Sequence, residues 1–222
     1  MQGEIGPSLI LIGVAATVLG FLQPNLTPLV AVGLSITAAG LLTWGEQAAR
    51  ERVLIKLGEA GWENVSALIL ASGIPPRAYY LPSSITGRPV AVISQTRPDE
   101  VPKEAFTFKT RSGPALVLST PGSKALELCG ELPSDLGEAL RSCVVNVLGF
   151  ARSVAVAERE GEYVVEYAGV SFPDLYRGHV VGAALGSALA SVTAAIVAEV
   201  LNRVVEVVEE RVEGRRAVVV LR

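Results

Sequence analysis

From residue 5 to residue 45 the chain carries no ionisable side chain, a run of 41 residues bounded by Glu4 and Glu46. Few folds accommodate such a stretch. Two apolar segments share it, Ile5–Leu22 and Leu26–Trp44, with Gln23-Pro24-Asn25 between them as a helix-breaking turn signal. A helix needs about 20 residues, with about 17 as the lower limit, to cross a hydrocarbon core of ~30 Å. Ten of the first segment's residues are Leu, Ile, Val or Phe, a content that favours insertion by roughly 3 to 6 kcal/mol. The second segment holds eight and ends on Trp44, a residue suited to the headgroup level. The opening Met-Gln-Gly-Glu lacks the basic region of a signal peptide. The expected structure is a transmembrane helical hairpin over residues 1–45. Its turn has no Lys or Arg, whereas Arg50, Arg52 and Lys56 follow the second segment. The positive-inside rule then puts both termini in the cytoplasm of a multi-pass cell-membrane protein.

Small residues recur along both helices. Gly13, Ala16 and Gly20 share one face of the first, and Gly33, Thr37 and Gly40 share one face of the second. Small residues let membrane helices approach closely. These faces are expected to pack on each other within the hairpin; the competing use is assembly with another membrane subunit.

Composition bounds the remainder. Half of the 222 residues are hydrophobic and 18% are charged, below the roughly 25% of ordinary soluble domains. A net charge of −3 argues against nucleic-acid binding through general basicity. One His and two Cys are too few for a His/Cys metal centre or a disulfide scaffold. A single Met and few Gln, a low thermolabile content, fit a heat-loving source, while the excess of fifteen Arg over four Lys is also what genomic base composition alone produces.

Beyond Glu46 the pattern predicts a cytoplasmic α+β domain with a mostly antiparallel sheet. A linker and α/β part covers 46–134, and an αββ-αββ part covers 135–222, the two forming one compact body. Ala49, Val53 and Leu57 repeat at helical spacing until Gly58 and Gly61, and a second helix is expected over Trp62–Ser72. Strand candidates are Ala78–Leu81, Pro89–Ser94, Ala105–Thr110 and Ala115–Thr120, with short and longer helices at Ser123–Cys129 and Asp135–Leu148. The last third is self-similar at an offset of 53: Glu160-Gly161 matches Glu213-Gly214, each pair centring a hairpin. Val180–Ala198 is 19 residues without an ionisable group, yet as rich in Ala as in larger aliphatics. It is expected to be the domain's core helix rather than a third crossing.

No catalytic constellation stands out. His179 lies in a segment, Tyr176-Arg177-Gly178, with no partner set for nucleophilic chemistry, and Cys129 and Cys143 are expected as free, buried, small apolar residues. The alternation of Glu206, Glu209, Glu210 and Glu213 with Val and Arg reads as a solvated strand face. The loop Ser83-Ser84-Ile85-Thr86-Gly87-Arg88 offers Ser83, Ser84, Thr86 and Arg88 as candidate ligands for a phosphate or carboxylate. Thr120-Pro121-Gly122-Ser123, ahead of a helix, is a second candidate anion site. No cofactor or metal is expected.

Through Ala78-Tyr79-Tyr80-Leu81-Pro82, Leu118-Ser119-Thr120-Pro121-Gly122-Ser123 and Leu140-Arg141-Ser142, the chain resembles archaeal membrane proteins that pair two N-terminal helices with a cytoplasmic α/β domain. Asp135–Leu221 also resembles the four-vinyl-reductase type of small-molecule-binding domain, without its terminal Cys. The first resemblance implies no activity or site residues. The expected function is a non-enzymatic accessory or scaffold subunit, with the bilayer, a protein partner or a second copy as partners. The alternatives are a tethered small-ligand sensor, and an enzyme whose polar cluster only the fold assembles.

Overall fold

The computed structural model describes residues 5–23, 26, 28–98, 100–102, 106–171 and 180–222. Two compact units divide the chain, Met1–Gly58 and Glu59–Arg222.

The first unit is a helical hairpin. Helix α1, Ile5–Leu22, is apolar on all sides, and α2 begins at Pro28. Buried positions recur every seven residues, at Gly6, Gly13 and Gly20 on one helix and at Gly33 and Gly40 on the other. A Cβ at Gly13 would lie 2.5 Å from the Thr37 backbone nitrogen, and one at Gly33 equally close to that of Thr17. The two backbones are therefore in direct contact, which only glycine permits. Outward, Leu11, Phe21, Leu22 and Leu42 are more than two-thirds exposed. The apolar stretches Gly6–Leu22 and Pro28–Thr43 are short for a membrane span: 17 helical residues reach about 26 Å against a core of ~30 Å.

Helix α2 runs unbroken to Ser72, 45 residues in all. The break expected at Gly58 and Gly61 does not occur. Each interior glycine costs a helix only about 1 kcal/mol, and without proline the backbone ladder continues. Pro24, Asn25 and His179 lie outside the described residues, as do the side chains of Trp44, Arg50, Arg52 and Lys56.

The second unit is α+β. Its strands are β1 Ala78–Leu81, β2 Val90–Ile93, β3 Thr107–Thr110, β4 Gly113–Leu118, β5 Ser153–Arg159, β6 Glu162–Ala168, β7 Val205–Glu213 and β8 Arg216–Leu221. They form one sheet in the order β3-β4-β2-β1-β7-β8-β6-β5, and every pairing is antiparallel. The helices are α3 Ser83–Thr86, α4 Pro121–Cys129, α5 Leu136–Leu140 with a π-helical continuation Arg141–Val147, α6 Val180–Leu185 and α7 Ala188–Leu201. The last third thus runs helix, hairpin, helix, hairpin. The two hairpins are not exact copies. The first turns on Glu160-Gly161, both at positive φ, and the second on the residues between Glu213 and Arg216, one place later. A bulge between Val207 and Glu209 takes up the extra residue.

Strand alternation sends Tyr80, Ala91, Ile93, Leu116 and Val205 to the helix-covered face, and Tyr79, Leu81, Val92, Val117 and Val204 to the other. Helix α7 is the centre of the first face, with Ala188 to Ala198 wholly buried. Among the described residues Val180–Leu201 is the one segment long and apolar enough to cross a membrane, but 72% of its most apolar window is buried inside the chain. Gly186 interrupts it at φ 73°, and Ser187 caps α7 by accepting from the backbone N–H groups of Leu189 and Ala190. It serves as a core helix whose polar cap is held from β7.

Candidate functional site

The residues proposed from sequence as an anion loop come together, but their polar groups are spent internally. Ser83 donates from its backbone N–H (2.8 Å) and from its hydroxyl to the Glu199 carboxylate at the end of α7. The Ser84 hydroxyl donates to Asn202 Oδ1, and Thr86 turns back to the carbonyls of Pro82 and Arg88. Arg88 is exposed. The loop is a clasp between β1 and the C-terminus of α7, and the carboxylate already present repels an incoming anion.

The second candidate, Thr120–Ser123, is a capping box. Thr120 Oγ1 accepts from Ser123 N–H, and Ser123 Oγ accepts from Thr120 N–H. Gly122 presses against α7 so closely that a Cβ would sit 2.3 Å from the Ser191 carbonyl oxygen. Helix α7 fills the space an ion needs.

Beside the clasp opens a cleft of about 510 Å³ between α4, the segment Gly130–Ser134 and the end of α7. Leu126, Leu132, Pro89 and Val200 line it, with Glu127, Glu131 and Glu199 as its acidic groups. Glu127 at its rim is paired with Lys124 at 2.6 Å. This lining can receive an apolar side chain or a small ligand; the Ser83 hydroxyl at its edge is held by the Glu199 carboxylate. Among the described residues no three His, Cys, Asp or Glu side chains gather as a metal would require.

Behind the cleft Cys129 and Cys143 form a disulfide that ties the end of α4 to the π-helical segment. This corrects the expectation of free thiols. The two positions are 14 residues apart on separate elements, and only the packing of α4 against the π-helical segment brings their Cα atoms to 5.3 Å. Of the four glutamates of β7, Glu209 and Glu213 are exposed as expected, but Glu206 and Glu210 depart from a solvated face. Glu206 is 14% exposed and paired with Arg77 at 2.7 Å, and Glu210 accepts from the Ser187 N–H at 2.8 Å and from its hydroxyl. No local pattern marks these two among their alternating neighbours.

Two tyrosines are buried against α7. Tyr80 donates to the Leu185 carbonyl at 2.8 Å. Thr193 donates to the Leu189 carbonyl, so the Tyr167 hydroxyl donates to Thr193 Oγ1, also at 2.8 Å. Burial pushes both phenols well above the ordinary tyrosine range, against the lowering effect of the Ser191 hydroxyl on Tyr80 and of Thr193 on Tyr167.

In the hairpin unit Gly13, Gly20, Gly33 and Gly40 are buried and Ala16 and Thr37 half-buried, all on the helix–helix seam. Gly6 and Thr17, also on that seam, were missed, although Gly6 continues the heptad of Gly13 and Gly20.

No protein-family model matches the chain, and no curated protein or solved structure is significantly similar to it.

Proposed function

We propose that the chain is a membrane-anchored, non-enzymatic protein whose hairpin holds the α+β unit at a bilayer, where it acts as an accessory or scaffold subunit. One observation carries this reading. The hairpin spends its glycines on its own seam and leaves a full set of large apolar side chains, Leu11, Ile12, Phe21, Leu34 and Leu42 among them, facing outward. Water disfavours such a surface, and lipid does not. The short spans are accommodated by local thinning of the bilayer. The resemblance to two-helix archaeal membrane proteins agrees with this architecture.

Alkaline extraction of membranes tests the anchor: the full chain stays in the pellet if the hairpin is inserted, and release into the supernatant overturns the reading. Cross-linking in intact membranes followed by mass spectrometry tests the scaffold role. A discrete partner is expected, and recovery of the chain alone removes the support for it.

Orientation has two readings. The basic flank Arg50, Arg52 and Lys56 favours a cytoplasmic α+β unit. The Cys129–Cys143 disulfide favours an oxidising compartment, or a hyperthermophilic cytosol. A cysteine placed at the exposed Ser153 and challenged with a membrane-impermeant maleimide separates them: labelling of intact cells puts the unit outside, and labelling only after lysis puts it inside.

A further inference from the structure

The face of the sheet away from α7 carries a basic groove separate from the cleft beside α4. Register places its side chains. Tyr79 pairs with Glu206 across β1 and β7, and Glu206 exchanges both backbone hydrogen bonds with Arg222. Arg77, two residues before Tyr79, lies on the same face. Arg77 Nε reaches Glu206 Oε1 at 2.7 Å and an Arg222 nitrogen reaches Oε2 at 3.5 Å. Arg97 closes the group, lining the same cleft of about 340 Å³. Three guanidiniums therefore face one carboxylate, and no described carboxylate is ion-paired with Arg97. Arg77 and Arg222 are at least half exposed and Arg97 is exposed, so all three are free to reorient onto a ligand.

Arg97 and Val204 also line a second cleft, of about 380 Å³, whose other described walls are Leu81, Ile85, Pro98 and Val101. These walls are apolar apart from Arg97. The two clefts thus meet at one arginine, with cationic forks on one side and an aliphatic trough on the other.

We propose that this groove binds an amphiphilic anion: a phosphate or carboxylate headgroup between Arg77, Arg97 and Arg222, with an aliphatic tail along Leu81, Ile85 and Val101. Guanidinium forks match the planar or tetrahedral oxygens of such a headgroup and hold them by charge-assisted bonds. The trough supplies the burial that a bare anion cannot use. Glu206 orients Arg77 and Arg222 in the empty groove and is displaced from part of that pairing when the anion enters. The inference stands on the α+β unit alone and does not depend on the hairpin crossing a membrane.

The test uses the full chain in nanodiscs of phosphatidylcholine, titrated with hexyl phosphate and, separately, with inorganic phosphate, followed by phosphorus NMR and calorimetry. Hexyl phosphate is expected to bind saturably, about tenfold more tightly than inorganic phosphate. Arg97→Gln should weaken both by about tenfold, since it removes a charge-assisted contact. Ile85→Gln, at an exposed site, should abolish the preference for the hexyl chain and leave inorganic phosphate unchanged. Absence of saturable binding, or binding that Arg97→Gln leaves within twofold, overturns the proposal. Adding phosphatidylglycerol to the nanodiscs identifies the source: competition with hexyl phosphate means that a bilayer lipid supplies the headgroup, and no competition means a free solute does.

Discussion

Single residues set the closest approaches. At Gly33 a side chain has no room, because a Cβ meets the Thr17 nitrogen at 2.5 Å. Gly33→Leu is expected to part the helices and to cost about 3 kcal/mol, at the upper end of overpacking. Unfolding of the detergent-solubilised chain in SDS, followed by circular dichroism, measures this. The buried tyrosines make a second prediction. Their folded pKa values are raised above the ordinary tyrosine value of about 10, so the neutral phenol is what the fold stabilises. That contribution is complete below the unfolded pKa and is lost as pH rises through and beyond it. Above pH ~10 stability should therefore fall by about 1.4 kcal/mol per pH unit for each tyrosine. Urea titrations across that range should show the slope halved in Tyr167→Phe. A slope unchanged by the substitution would be inconsistent with this account. At lower pH the same variant loses one hydrogen bond, about 1 kcal/mol.

Between elements, the disulfide and the helix caps decide how α4 and α7 sit. Cross-linking a loop of about 15 residues stabilises by about 3 kcal/mol in the chain-entropy view. Replacing both Cys129 and Cys143 by Ser should lower stability by that order, and reduction of the wild-type chain should match it. Calorimetry with and without reductant provides the comparison. At the head of α7, Ser187 accepts from two helix N–H groups and donates to Glu210. Ser187→Ala should cost about 1 to 2 kcal/mol, read from the denaturant midpoint. Most elements were legible at this scale. Ala78–Leu81 matches its expected bounds, and the hairpin Ser153–Arg159 with Glu162 onward follows from alternation and a Glu-Gly turn. The continuity of α2 through Gly58 and Gly61 was not, because two glycines weaken a helix without stopping it.

For the whole molecule, the separation into units 1–58 and 59–222 has a direct consequence. The second unit has its own buried core, from Ile69 through Leu221. Expressed alone, residues 59–222 should remain in solution without detergent and unfold in a single cooperative transition, whereas the full chain should require lipid or detergent. Light scattering and chemical denaturation of residues 59–222 and of the full chain decide it. The anion loop expected at Ser83, Ser84, Thr86 and Arg88 shows what this scale adds. Its residue types suit phosphate, but the fold brings Glu199 and Asn202 from more than a hundred positions away to take its hydroxyls.

The sequence by itself determined the features that depend on neighbours along the chain. The uncharged stretch 5–45 and its heptad glycines specify a close-packed apolar hairpin, alternation specifies the strands, and the alanine-rich segment before Glu199 specifies a buried helix. Tertiary structure alone decided what depends on distant partners: the Cys129–Cys143 bond, the hold of Glu210 on Ser187 at the head of α7, the clasp of Ser83 on Glu199, and the gathering of Arg77, Arg97 and Arg222 around Glu206. The physical reason is common to all four. A charge, thiol or hydroxyl carries no periodic signal of its own, and its role is set by whichever group the packed sheet and helices place within about 3 Å of it.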